Sequence, residues 1–553
     1  MLRECQAGIG RHGHEFEPEP PSDSGRPLLP HYTIEIVTTE QVRLHESAGD
    51  REFYLTLSHR WKIDSVEPLR TTTTNVEAHR RGIPWETLGK TFRDAITFTK
   101  YLGIKFLWID SLCILQDDLE DWSRESKEMC NVYGNATLSI FATSPEGLFF
   151  ERRDVWGRRS QHRTYCTTDQ TGHNHGIHAV ASEAQHDHDT DYSLLPDSEI
   201  FTRGWVFQEW LMCKRAIVFD IHELLWSCDH SKICECGGAT PLRDRSIGEM
   251  NRNEYRESLR RGEQSSLLWH SVVTQYSLTH LTFHIDRLSA LSGLAKQYRA
   301  DFETNYVAGC WRDGMIDTLL WYGGSESIPC EYVAPTWSWA SARPNVFFMT
   351  VGRGIIKDLA QVTDVSCTLA TSDPTGRVND GSLTMIGPAV DGVVVWSEDE
   401  GSELSMPCFE SGEVRYSILP DCRVYGLRDG VAATRRTPTL CLIVRVTLVY
   451  PHPQHPVLQE LALVFVRSAR RPNCYERIGL IDTTHNIPSL IADEHLHIQS
   501  PAEDFDGSYT PEPEEHMALL SAFLDRLKDG EMEDTAMPQT LLRLAYSRSV
   551  TIV

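Results

Sequence analysis

TFRDAITFTKYLGIKFLWIDSLCILQDDLEDWSRESKEMCNVYGNATLSIFA, residues 91–142, parses as helix, strand, helix, strand. Thr91 and Asp94 have the S/T-x-x-D/E spacing of a capping box, and Phe92, Ala95, Ile96 and Leu102 keep helical spacing behind them. Gly103 stands where a left-handed residue closes a helix. Lys105–Ile109 is a short, essentially apolar run, the pattern of a strand covered on both faces. Asp118 can cap a second helix, with Trp122, Met129, Val132 and Tyr133 along one face and Gly134 as its expected end. Ala136–Ala142 is strand-like again. This alternation predicts a parallel sheet with right-handed crossovers, whose ligand crevice lies beyond the carboxyl ends of the strands. Asp110 and Ser111 stand at that edge.

Upstream, Phe53–Ser58 (FYLTLS) reads as the first strand, running into the polar cluster Ser58-His59-Arg60-Trp61. Residues 1–31, rich in Pro, Gly, His and Glu, read as a disordered leader. The sheet domain is expected over residues 32–229, with Arg203–Asp220 as a helix leading into a strand and Leu224–Cys228 as another strand. Inside it, the polar insertion 151–198 carries His173, His175, His178, His186 and His188. Their spacing matches no standard metal site, and a solvated loop is the reading. Cys228, Cys234 and Cys236 lack paired C-x2-C knuckles, so no metal is assigned there. Residues 230–345 read as a helical linker region, ending in the packing or turn element EYVAPTWSWAS. A β-rich module follows over 346–500, from SLTMIGPAV, LCLIVRVTLVY, ALVFVRS and YERIGLI, and then an acidic loop and tail over 501–553.

The chain carries 53 basic and 78 acidic residues, a formal charge of −25, which argues against nucleic acid or an anionic membrane as principal partner. Its longest apolar run, Leu440–Tyr450, is broken by Arg445 and Thr447, so no membrane span is expected. The amino terminus shows no apolar signal region, and the 15 cysteines are scattered through apolar contexts. Reduced thiols and a cytoplasmic location are the expectation. There is no GxGxxG, P-loop or G-x-S-x-G motif, and Cys113 lies in an apolar run that silences a thiol.

Three blocks together resemble the fungal heterokaryon-incompatibility (HET) domain family: YLTLSHRW at Tyr54–Trp61, the central stretch quoted above, and RGWVFQEWL at Arg203–Leu211. Lys62 departs from the family's usual glycine, and Arg60 from a common cysteine. The resemblance implies a role in non-self recognition and programmed cell death. HET domains have been likened to TIR domains, a flavodoxin-like fold that includes NAD-cleaving enzymes. Trp205-x3-Glu209 looks like the W-C-x2-E-L helix that supplies the TIR catalytic glutamate. On that likeness Glu209 is the catalytic candidate, with Ser58, His59, Arg60, Trp61, Asp110, Ser111 and Trp205 as substrate-binding candidates. NAD is then a substrate, with no resident cofactor and no metal. The residues themselves leave alternatives open: Glu209 as a salt-bridged helix acid, Asp110 as a carboxylate capping backbone N–H groups, and the tryptophans as core. Two functions stand side by side. One is an NAD-consuming effector switched on by self-association, the other a non-catalytic module signalling through protein partners.

Overall fold

The computed structural model describes residues 25–60, 69–144, 147–149, 162–168, 174–180, 199–220, 224–229, 231–234, 239–240, 252–263, 265–323, 332–342, 345–349, 354–395, 407–412, 414–421, 436–452, 455–486, 521, 524 and 540–553. Two compact units emerge. One comprises residues 1–264, 279–281 and 289–298, the other residues 265–278, 282–288 and 299–553. Among the described residues no helix is long and apolar enough to cross a membrane.

The first unit is a mixed α/β body built on a nine-stranded sheet. Its strands are β1 (Tyr32–Ile36), β2 (Val42–Glu46), β3 (Tyr54–Ser58), β4 (Phe106–Ile109), β5 (Leu138–Ala142), β8 (Arg215–Phe219), β9 (Leu224–Cys228), β10 (Ser231–Cys234) and β11 (Ala239–Thr240). Within the polar insertion, β6 (His162–Thr168) and β7 (Asn174–Val180) pair separately. The sheet order is β11-β10-β9-β8-β5-β3-β4-β1-β2. β4, β3, β5 and β8 form its parallel centre, so the three strands expected as parallel neighbours are neighbours. Every residue of β3, β4 and β5 is buried, which is why these runs lack a polar alternate face.

Both flanks correct the expectation of a parallel sheet. β1 pairs antiparallel with β2 and β4, and β9 to β11 continue antiparallel from β8. The connections 37–41 and 220–223 are too short for a crossover, which forces the chain to turn back on itself. The insertion is corrected too. His162–Thr168 and Asn174–Val180 form an antiparallel hairpin where a solvated loop was expected. HRTYCTT supplies β-branched and aromatic residues, and the connection of five residues, 169–173, suits a hairpin. His173, His186 and His188 lie outside the described residues.

Among the described residues, helices of this unit include α1 (Val76–Arg81), α2 (Lys90–Tyr101), α3 (Asp110–Cys113), α4 (Leu119–Asn135), α5 (Gly204–Met212) and α6 (Arg252–Arg260). α2 does not form the expected capping box. It starts at Lys90 after Gly89, with no side-chain cap, because Asp94 is taken by the N–H groups of Leu148 and Phe149, at 2.9 and 3.2 Å. Gly103 does adopt the left-handed conformation, with φ 77°. Asp118 caps α4 as its position predicts, accepting from the N–H groups of Glu120 at 2.9 Å and Asp121 at 3.2 Å. α4 runs one residue past Gly134, to Asn135. Asp118→Ala should therefore cost about 1 kcal/mol in urea denaturation; an unchanged midpoint would mean that packing alone holds this helix end.

α5 carries the third resemblance block and is buried at every position but one, Trp205. Its last carbonyls meet two arginines of α6. Arg252 Nε donates to Trp210 O at 2.9 Å, and Arg256 Nη1 to Met212 O at 2.7 Å. Cations at the carboxyl end of a helix satisfy carbonyls left without helical partners and oppose the dipole.

The second unit is β-rich. Five of its strands are β12 (Val378–Val395), β13 (Arg436–His452), β14 (His455–Arg467), β15 (Tyr475–Asn486) and β16 (Tyr546–Ile552). They pair in that order, and β12 also pairs with β16, so the ring closes. Five strands in alternating directions leave one parallel seam, found between β15 and β16 at Tyr475 and Ile552. Cys441, Ile443, Val446, Leu458, Val464 and Ile481 are among the side chains that fill the core. β16 comes from the tail 501–553. Buried Glu460 on β14 anchors the turn before it, accepting from the N–H groups of Leu541 and Leu542 at 3.1 Å each. The TWSW element is a buried indole cluster. Trp269 and Trp339 both donate to the carbonyl of Gly309, at 3.1 and 2.8 Å. Gly309 has φ 89°, and a Cβ there would stand 2.6 Å from Trp339 Nε1, so only glycine fits.

Candidate functional site

Ser58 is the last residue of β3, and His59 continues the chain over the carboxyl edge of the sheet. Asp110 follows β4 at the same edge as the first residue of α3. Arg203 is the N-cap residue of α5, and Glu209 lies in the second turn of that helix. Tyr133 comes from the last turns of α4.

These side chains meet in the interior. Ser58 Oγ donates to Glu209 Oε2. The same Oγ hydrogen-bonds the Tyr133 hydroxyl at 3.4 Å. His59 Nδ1 is 3.5 Å from Asp110 Oδ1, and Arg203 donates to the carbonyl of His59. Ser58 is 2% exposed and Glu209 5%, so water screens this cluster little. Burial raises the Glu209 carboxyl, and the Asp110 charge raises it further. Ser58, Arg203 and Tyr133 act the other way, and the balance stands at about 7. Burial lowers the His59 imidazole, Asp110 opposes that and Arg203 adds to it, so the ring is neutral at neutral pH. It offers a donor and an acceptor to a ligand, and no charge to a phosphate.

The remaining candidates are dispersed. Arg60 is forked onto Glu199, at 2.6 and 2.7 Å. Ser111 is fully buried; its N–H donates to Asp110 Oδ1 at 2.7 Å, and its hydroxyl has no hydrogen-bond partner. Trp205 packs edge-on against Trp122, with ring centroids 6.0 Å apart, and Trp108 against Tyr133 at 5.7 Å. Trp61 lies outside the described residues. Asp117 binds the N–H and hydroxyl of Thr73, both at 2.7 Å, tying two loops together. The Cys113 thiol is pushed far up by burial, the state of an inert thiol.

Tyr133 and Arg203 belong to the cluster, and no sequence motif marks either as a site residue. Tyr133 reads as a core aromatic on the apolar face of α4, and only its hydroxyl distinguishes it. Arg203 opens the RGWVFQEWL block, and its place just before the helix was the available signal.

Among the described residues one group has the makings of a metal site: His31, Asp121 and Glu125 bring ligand atoms within 4.8 Å of one another. A guanidinium already occupies the place of a cation. Arg124 Nη2 binds Asp121 and lies 3.2 Å from His31 Nδ1, while its Nε donates to Glu125 at 3.3 Å. Of the cysteine cluster, Cys228 is a buried residue of β9, Cys234 lies in β10, and Cys236 lies outside the described residues.

Comparison with known proteins agrees with this geography. The family model described as "Heterokaryon incompatibility protein (HET)" matches residues 54–209, from the first residue of β3 to Glu209 itself. No curated protein and no solved structure matches the chain.

Proposed function

We propose, from the premise that residues 54–209 of this chain are a heterokaryon-incompatibility domain, that the protein serves fungal non-self recognition and cell death by cleaving NAD. In this reading the fold is flavodoxin-like and TIR-like, the setting is cytoplasmic, and self-association switches the site on. Strand order supports it. Numbered along the chain, the four parallel strands run 2-1-3-4 across the sheet, as in flavodoxin-like folds, with the switch point between β3 and β5. The observation that carries the reading is the Glu209 carboxyl, bound to Ser58 at the carboxyl end of β3.

Release of nicotinamide breaks the bond between its ring nitrogen and the ribose carbon. The electron pair leaves with nicotinamide, the sugar becomes oxocarbenium-like, and water adds its oxygen to that carbon. An ionised Glu209 stabilises the cation electrostatically or holds the ribose hydroxyls. A carboxyl balanced at about 7 is also ionised in a large fraction of molecules at neutral pH and able to accept the proton of the attacking water. Ser58 orients it. Asp110, Ser111 and neutral His59 supply polar contacts along the same edge, and Arg60, Trp61 and Trp205 are assigned to substrate binding.

One observation favours the second reading, a non-catalytic module acting through protein partners: the Ser58–Glu209 pair is almost completely buried. A single assay separates the two. The full chain is incubated with NAD over a wide range of protein concentration, including chemically induced assemblies, and nicotinamide is measured by chromatography. Release that rises faster than protein concentration is expected. Intact NAD under every condition would leave the interaction module as the reading.

A further inference from the structure

We propose that His59 and Ser111, both gathered on the Asp110 carboxylate, recognise an uncharged carboxamide, the nicotinamide end of the substrate. The proposal rests on the reading above for the identity of the substrate, and it names which end of NAD this edge of the sheet holds. The geometry centres on one oxygen. His59 Nδ1 lies 3.5 Å from Asp110 Oδ1, and the Ser111 N–H donates to that same oxygen at 2.7 Å. His59 is 5% exposed and Ser111 is fully buried. Among the described residues, neither His59 ring nitrogen has a hydrogen-bond partner, and nor does the Ser111 hydroxyl. Buried polar groups are ordinarily paired, and one left alone costs stability. Here these atoms belong to two residues that share a carboxylate at the carboxyl edge of the sheet, where open α/β folds bind their ligands. The imidazole is fixed on other sides: Phe92 meets it edge-on, with ring centroids 4.8 Å apart, and Arg203 holds the His59 carbonyl. Asp110 is the exposed member, its side chain 21% open to solvent, and marks the side from which a ligand arrives.

The donor set selects the ligand. A neutral imidazole offers one donor and one acceptor, a serine hydroxyl offers either, and an ionised aspartate only accepts. Burial keeps the His59 ring in that neutral form. A primary carboxamide is the complement. Its N–H groups suit Asp110 and the bare ring nitrogen, and its carbonyl suits the Ser111 hydroxyl or the ring N–H. A phosphate or carboxylate is not matched: the Asp110 charge repels it, Arg60 is forked onto Glu199, and Arg203 is engaged with a carbonyl. Ser58 joins this set to the rest of the site, since its hydroxyl donates to Glu209 and His59 is the next residue along the chain. A leaving group held by its carboxamide then departs beside the carboxyl that stabilises the ribose cation.

The test uses the full chain and three probes, nicotinamide, nicotinic acid and adenosine, each titrated to a Kd by saturation-transfer NMR. Nicotinamide should bind the wild type about tenfold or more tighter than nicotinic acid, whose carboxylate replaces the amide, and adenosine should not displace it. Ser111→Ala should weaken nicotinamide about tenfold, and His59→Phe, which keeps a flat ring without the nitrogens, should abolish binding. This pattern in a protein that leaves NAD intact upholds the recognition site and ends the cleavage reading. Absence of nicotinamide binding overturns the proposal, while cleavage of NAD by the same protein would leave that reading standing. Displacement by adenosine, nicotinic acid bound as well as nicotinamide, or a folded His59→Phe that binds as wild type overturns it too. Should His59→Phe fail to fold, Ser111→Ala decides alone. It deletes a hydroxyl without a partner among the described residues, so it should stay folded, and unweakened binding there overturns the proposal equally.

Discussion

Glu209→Gln should abolish nicotinamide release while leaving the protein folded, because the amide keeps the shape of the side chain and its acceptor oxygen for Ser58 but loses the charge. Removing one preorganised electrostatic group commonly costs about 10²–10³ in rate, and a sole carboxylate opposite a developing cation should cost at least that. Stability should move the other way. The Glu209 carboxyl is raised from 4.5 to about 7, first by burial and then by Asp110. A raised acid contributes its stability in full below the unfolded value and loses it as pH rises through the folded one. Between pH 5 and pH 8 the wild type should therefore lose up to about 3 kcal/mol that the glutamine variant keeps. Denaturation midpoints at the two pH values, read beside the activity, check both halves. Asp110→Asn should be milder in rate, since it removes a neighbouring charge and returns Glu209 towards its ordinary range. A Glu209→Gln protein that melts at both pH values would make Glu209 a packing acid and end its catalytic candidacy.

The parallel centre of the sheet was legible because its strands are short apolar runs between well-marked helices, and Asp118 and Gly103 punctuate those helices by local chemistry. The flanks were not. β1 reads YTIEI with a charge in its middle, and that Glu35 is buried because Arg43 and Lys105 reach it at 2.6 and 2.7 Å. Partners 8 and 70 residues away hide such a strand from any local pattern. Asp94 shows the reverse: its spacing from Thr91 promised a cap, and a tertiary partner at Leu148 claimed the carboxylate. In the site, Ser58, Asp110 and Glu209 could be named from the sheet-edge rule and the resemblance, since each closes or follows a recognisable element. Tyr133 could not, because a tyrosine on an apolar helix face is ordinarily core and its hydroxyl partner is 75 residues away. Arg60 was assigned to a ligand by its position in the loop; Glu199, 139 residues on, holds it instead in this structure.

In the β-rich unit the largest loss of stability should follow Arg477→Leu, about 3–5 kcal/mol by denaturant titration. The Arg477 side chain is fully buried, stacked over the Trp321 ring with 4.0 Å from guanidinium to centroid. Nη1 donates to Leu319 O at 2.6 Å, and Nη2 donates to Trp321 O and, at 3.1 Å, to Asp421 Oδ1. Nε stands 3.0 Å from Asp421 Oδ2, an ion pair without the alignment of a hydrogen bond. Leucine would leave two carbonyls and a buried carboxyl without their donor, which is what makes breaking such a pair far costlier than never having built it. Lysine should rescue little, because a point charge cannot reach two carbonyls and a carboxylate while lying flat on an indole. Asp421→Asn should cost less than either. Burial has already pushed that carboxyl up to about 6 against the pull of Arg477, so much of its charge is a liability before the mutation is made. The order Leu worse than Lys at 477, and both worse than Asn at 421, is the measurable claim. A loss below about 1 kcal/mol for Arg477→Leu would mean that the tryptophan cluster and the barrel core hold this unit without the arginine.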